Sequence, residues 1–219
     1  MSLSVLQKEI LLTALAVIAG CYLVIFASNK DDFLSGPSSV IEDIASIKRT
    51  PDLAHTYGDK EAPLRIVEFA DFSCHFCAEL HPTLKRLVDE SDGGVVWEYR
   101  HLPILSANSR LAAEISECVA KLSTDDNQFW TFAEQIFESQ KNLSSSYLHE
   151  MAVGLNLSPQ SVSDCLDDGQ ASALVSEDAR VANSMGARGT PFSVIIFPDG
   201  QTKNVSGALA YEEWLELIN

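Results

Sequence analysis

The stretch "FADFSCHFC", residues 69–77, sets two cysteines three positions apart at the end of an apolar, β-leaning run. In the run itself, "APLRIVEFA", Leu64, Ile66, Glu68 and Ala70 fall on one face of a strand and Arg65, Val67 and Phe69 on the other. Glu68 therefore stands among apolar neighbours. A central strand covered on both faces would desolvate its carboxylate and raise its pKa, whereas an edge strand would leave it in water. Beyond Cys77 the pattern changes to "AELHPTLKRLVDE", with Leu80, Leu84, Leu87 and Val88 at helical intervals. Cys74 thus lies where a strand hands over to a helix. The unpaired amide donors and the positive end of the helix dipole favour an anion there, and a thiolate is the anion available. Free cysteine titrates near 8.5, and such positions reach about 3.5 to 7.5. Cys77, one turn on, is expected to be shielded and to act as the resolving thiol.

Two such cysteines can hold a metal, attach a haem, staple the chain or exchange electrons. Ala78 after Cys77 removes the CxxCH haem pattern. A structural zinc site usually needs a second close pair, but Cys118 and Cys165 stand far apart and no HxxxH-like spacing accompanies them. A bridge over a two-residue loop constrains the unfolded chain very little, so an inert staple is a poor use. Redox exchange is the favoured reading.

The 219 residues are 46% hydrophobic and 21% charged, the balance of one globular domain with a sizeable core plus an appendage. Thirty-one acidic against fifteen basic residues give a formal charge of −16, and basic residues cluster only in pairs such as Lys48-Arg49 and Lys85-Arg86. Nucleic acid is therefore not an expected partner.

The appendage comes first. "ILLTALAVIAGCYLVIFA", Ile10 to Ala27, is uncharged and, at about 1.5 Å per residue, long enough to cross most of a hydrocarbon core of about 30 Å. An uncleaved membrane anchor over 1–28 is expected. "IAGC" ending at Cys21 also resembles a lipobox, which leaves a lipoprotein or a cleaved signal peptide as alternatives. Each of the three would export the remainder of the chain. Residues 29–62 read as a stalk or linker, with Ser39 and Glu42 as a capping box for a short helix.

"GDKEAPLRIVEFADFSCHFCAELHP" resembles the DsbA-like branch of the thioredoxin superfamily, with its "EF-D" strand, CxxC pair and the His81-Pro82 match to a helix-kinking proline. "GARGTPFSVIIFPDG" resembles the other half of that signature, with Thr190 and Pro191 matching the residue and cis-proline that face the disulfide. The resemblance implies an α/β, thioredoxin-like fold over 63–219. A helical insertion at about 106–185 is expected to include "RLAAEISECVAKL", "FWTFAEQIF" and "EDARVANSMG", and two strands around a Pro-Asp-Gly turn to precede a helix through Tyr211 to Ile218.

The same resemblance implies thiol:disulfide oxidoreductase activity on exported proteins that carry cysteines. Cys74 and Cys77 would be the redox pair, Glu68 the buried acid that moves protons, and Thr190 and Pro191 the substrate-facing loop. No cofactor is expected beyond that pair, and no metal. A DsbB- or VKOR-type membrane protein would reoxidise it, with the domain anchored to a bacterial inner membrane and facing the periplasm. Cys118 and Cys165, in contexts where relatives carry cysteines, are expected to form a structural disulfide worth about 3 to 4 kcal/mol, in keeping with an oxidising compartment. The dipeptide His75-Phe76 departs from the Pro-His common in oxidising relatives. A protonated His75 would stabilise the Cys74 thiolate, or His75 would only shape the groove. The direction of electron flow therefore stays open, with a reductase or isomerase, or a non-catalytic binding or metal-handling module, as alternatives. His55, His101 and His149 show no partner pattern and read as surface or packing residues.

Overall fold

A computed structural model describes residues 55–125 and 127–218. The expected anchor, the lipobox at Cys21 and the Ser39 helix lie outside these residues. Among the described residues no helix is long and apolar enough to cross a membrane.

Five strands form one sheet in the order β1-β3-β2-β4-β5: β1 His55–Tyr57, β2 Leu64–Ala70, β3 Val95–His101, β4 Phe192–Ile196 and β5 Thr202–Ser206. β2 runs parallel to β3 and antiparallel to β4, and the outer pairs β1–β3 and β4–β5 are antiparallel. Helix α1, His75–Asp89, links β2 to β3. Helices α2 to α6 come after β3: Ala107–Leu122, Asn127–Glu138, Ser145–Gly154, Pro159–Asp167 and Gln170–Ser184. Helix α7, Tyr211–Ile218, ends the described chain.

The alternation read from β2 divides the core into its two layers. Leu64, Ile66 and Ala70 pack with Leu80, Leu84 and Leu87 of α1, Trp97 and Tyr99 of β3 and Trp214 of α7. Val67 and Phe69 point to the opposite face, where Val181, Ala182 and Met185 of α6 and its end cover them. With both faces covered, the strand reads as nearly continuous burial. On the α6 side, Glu98 is fully buried but accepts from Arg65 Nη1 at 2.7 Å and Arg100 Nε at 2.6 Å. Asp178 of α6 in turn accepts from the His101 backbone N–H at 2.9 Å. A buried carboxylate is tolerated only when so paired, and these bonds fix α6 against the sheet.

The expected linker ends earlier than residue 62, because β1 pairs with β3 from His55 to Tyr57. Three residues with no apolar alternation carry no strand signal; main-chain pairing alone makes this one. Gly58 then turns the chain at φ +101, and a Cβ there would lie 2.6 Å from Val88 Cγ1 and 3.1 Å from Val95 O. Only glycine fits.

Cys118 of α2 and Cys165 of α5 form a disulfide, with Cα atoms 5.9 Å apart. It lies in a small buried cluster with Ala171, joined to the first core layer through Leu122 and Leu166. Replacing both cysteines by alanine is expected to lower unfolding free energy in denaturant titrations by about 3 to 4 kcal/mol, from the freed 47-residue span.

Candidate active site

Cys74 is the N-cap of α1, in extended conformation, and its side chain caps no helix amide. The amides at the head of the helix are therefore left for the sulfur. The Cys77 thiol donates to Cys74 and is the main influence lowering it. Burial opposes this, while the Thr190 hydroxyl and the backbone N–H groups of Cys77 and Phe76 add to it, bringing Cys74 down to about 5. Thr190 plays two parts, since its carbonyl oxygen lies 3.3 Å from Cys74 Sγ and accepts from the neutral thiol. Cys77 moves the other way. Burial, its hydrogen bond to Cys74 and the charge of Glu68 raise its thiol far above the ordinary value. Both thiols are free, with Cys74 6% exposed and Cys77 fully buried.

The Thr190–Pro191 peptide bond is cis. It precedes β4, which pairs with β2 so that Ser193 stands beside Glu68. On the other side Glu68 pairs with Tyr99 of β3. Neither carboxylate oxygen of Glu68 finds a hydrogen-bond partner among the described residues, nor do the Tyr99 hydroxyl and Ser193 Oγ. Burial pushes Glu68 up to about 8. The Trp97 indole leans toward it and partly opposes the shift without completing a hydrogen bond, and the Cys74 sulfur adds to it. A carboxyl that still holds its proton near neutrality thus sits within electrostatic reach of both sulfurs.

His75 departs from the first of its two expected roles, stabilising the Cys74 thiolate. Its side chain is 77% exposed and pairs with Glu79 at 3.0 Å, one helical turn along, so the groups that lower Cys74 are others. His81 is buried between Trp97 and Phe137, its pKa lowered by burial to about 4, and it is a neutral packing residue. His149 Nδ1 meets the Ser145 carbonyl at 2.7 Å. His55 and His101 are not isolated, for both meet Glu117.

Two residues escaped the sequence reading. Asp71, 1% exposed, accepts from Ser73 N at 2.7 Å and from Ile104 N and Leu105 N at 2.8 and 2.9 Å. It ties the loop after β3 to the cysteine loop. Ile104 and Leu105 are then left 51% and 56% exposed and, with Phe76 at 57%, are the most exposed large apolar side chains among the described residues. Gln140 Nε2 donates to the carbonyls of Phe72 and Cys74 at 2.9 and 2.8 Å, fixing the cysteine loop from the helical insertion. Only the aspartate of the "EF-D" pattern left a trace in the sequence. Beside Gln140 a polar cleft of about 750 Å³ opens, lined by Ser73, Ser106, Ser144, Tyr147 and Glu150.

Alkylation of the reduced protein across pH is expected to show Cys74 reacting with a midpoint near 5, and Cys77 remaining unreactive through pH 9. A single midpoint near 8.5 for both would contradict the geometry.

A family model described as "Thioredoxin" matches residues 51–219. The chain is 30% identical over 161 residues to Na(+)/H(+) antiporter NhaA 3 of Salinispora tropica, a match covering 72% of this chain and 24% of that protein. It is 28% identical over 184 residues to disulfide bond formation protein D of Bacillus subtilis, covering 79% of this chain and 77% of that one. Among solved structures, Pseudomonas aeruginosa DsbA2 superposes with a TM-score of 0.63 at 27% identity, covering 74% of this chain and 91% of that one. The chain spans about a quarter of the length of the first curated relatives it matches. With the fold, the paired cysteines and a match over residues 51–219 together, the chain belongs to this thioredoxin family, Thioredoxin_4.

Proposed function

We propose that the protein is a DsbA-like thiol:disulfide oxidoreductase that passes a Cys74–Cys77 disulfide to cysteines of exported proteins. The observation that carries this reading is the opposed acidity of the two thiols, Cys74 lowered and Cys77 raised, above the protonated Glu68. A substrate thiolate attacks Cys74 Sγ, the Cys74–Cys77 bond breaks, and a mixed disulfide forms. Cys77 leaves as a thiolate that is too basic to persist, and Glu68 is the near acid that can give it a proton. A second substrate thiolate then attacks the substrate sulfur of the mixed disulfide, Cys74 departs as a stabilised thiolate, and the substrate gains one disulfide. Two electrons have moved from substrate to enzyme.

Thr190, whose carbonyl oxygen lies 3.3 Å from Cys74 Sγ, and the cis-Pro191 that follows it would offer a backbone edge to an extended substrate segment. Phe76, Ile104 and Leu105 offer apolar contact around it. No cofactor enters this reaction. A membrane-bound reoxidant of the DsbB or VKOR type completes the cycle, and the uncharged run from Ile10 to Ala27 supports an anchored, extracytoplasmic domain in the periplasm. The Cys118–Cys165 disulfide fits an oxidising compartment.

The test is disulfide transfer from the oxidised enzyme to a reduced, unfolded protein bearing cysteines. Wild type is expected to transfer one disulfide per turnover, and Cys77→Ser and Cys74→Ser, neither of which can form the Cys74–Cys77 disulfide, to transfer none. Glu68→Gln is expected to slow the reaction by about a hundredfold. Corrected for the ionisation of the attacking substrate thiol, the step in which Cys77 leaves is expected to slow as pH rises through about 8 in wild type, because Glu68 must hold its proton to act as acid, and to lose that dependence in Glu68→Gln. Transfer unaffected by Cys74→Ser would overturn the reading.

A further inference from the structure

The helical insertion meets the sheet edge through a second cluster of side chains that the redox reaction does not use. His55 Nε2 and His101 Nε2 lie 2.9 and 3.0 Å from the same oxygen, Glu117 Oε1. The three donor atoms come from β1, β3 and α2, and all lie within 4.8 Å of one another. Their orientation is fixed by packing. The His55 ring stacks on Phe129 with centroids 3.4 Å apart and planes 7° from parallel, and the His101 ring lies edge-on to Tyr99 at 5.3 Å.

Burial makes this cluster costly as it stands. His101 is 1% and Glu117 8% exposed, and among the described residues no Lys or Arg pairs with Glu117. A carboxylate buried against two imidazole nitrogens, with no guanidinium or ammonium beside it among the described residues, is a group whose burial a bound cation would offset.

We propose that His55, His101 and Glu117 form a binding site for one zinc-type divalent cation. Two imidazole nitrogens and one carboxylate oxygen are the donors that borderline first-row metals prefer, whereas calcium and magnesium seek oxygen throughout. Zinc bonds of about 2.0 to 2.2 Å place tetrahedral ligand atoms about 3.3 Å apart, so contacts of 2.9 and 3.0 Å need to open by only a few tenths of an ångström. Ligation through Nε2 uses the tautomer that carries its proton on Nδ1, so each ring would exchange its contact with Glu117 for a bond to the cation. His55, with its side chain 13% exposed at the sheet edge, leaves the fourth position to solvent. The cation would join β1, β3 and α2 at one point. Phe72, which leads into the cysteine loop, touches the His101 ring at 5.8 Å.

The proposal stands apart from the redox reading and is tested with the thiols out of play. The full-length protein, with Cys21 alkylated, Cys74–Cys77 oxidised and metal removed by chelation, is titrated with Zn²⁺ by calorimetry and with Co²⁺ by visible absorption. One equivalent of Zn²⁺ is expected to bind with a dissociation constant of about 1 μM or tighter. The Co²⁺ protein is expected to show d–d bands of a nitrogen and oxygen site without a sulfur-to-cobalt band. Glu117→Gln is expected to weaken binding at least about tenfold. Because Glu117 is buried, His55→Gln at the rim is the second variant, with its fold checked by circular dichroism and the same loss expected. No saturable binding below about 100 μM, full affinity retained in either folded variant, or preference for Ca²⁺ over Zn²⁺ would overturn the proposal.

Discussion

A sulfur at a helix N-cap, with no other side chain competing for the amides behind it, is the interaction on which the site depends. Ser106, Ser144 and Ser158 cap their helices through side-chain oxygens that accept from the third amide on. Cys74 occupies the same position in α1 but closes no such cap. Its sulfur takes the Cys77 thiol as donor, and the Thr190 hydroxyl and the main-chain N–H groups of Phe76 and Cys77 lie near enough to favour its anion. Helix-terminal donors that elsewhere stabilise a fold here stabilise a thiolate.

The layered sheet supplies the counterpart. β2 lies between β3 and β4 with a helix layer on each face, so whatever side chain it carries at position 68 is removed from water. A carboxyl there keeps its proton near neutrality, and it lies beneath a thiol that is itself too buried to ionise readily. Opposite protonation preferences within one site are what an ordered proton transfer needs. Glu98 shows the alternative fate of a buried acid. That carboxylate is as deeply buried on the other face but is met by Arg65 and Arg100, so it serves to hold the layers together.

Much of this was legible in the sequence where the signal is periodic. The faces of β2, the helix after Cys77, the helical span after β3 and the final helix Tyr211–Ile218 come from two spacings of apolar residues. The Cys118–Cys165 bond came from resemblance, not from spacing. What stayed hidden depends on contacts between distant positions. β1 has three residues and no pattern of its own. Asp71 matters because it reaches amides 33 and 34 positions away, and Gln140 because it reaches carbonyls 68 and 66 positions back. His55 and His101 read as isolated because Glu117, their shared partner, sits on a helix whose apolar pattern gives no hint that it turns an acid inward. Of the two roles read for His75, contact with Cys74 is not the one its geometry favours: the first turn of α1 directs it outward to Glu79, where shaping the groove stays open to it.

The central claim is that the protein holds Cys74 as a stabilised thiolate in the reduced state, which makes its disulfide a strong oxidant. The measurement that tests it most directly is the reduction potential of the Cys74–Cys77 couple, equilibrated in glutathione buffers at pH 7. The account requires a value well above that of thioredoxin, toward the about −120 mV of strongly oxidising relatives. A value near about −270 mV would contradict it and assign the protein to reduction instead.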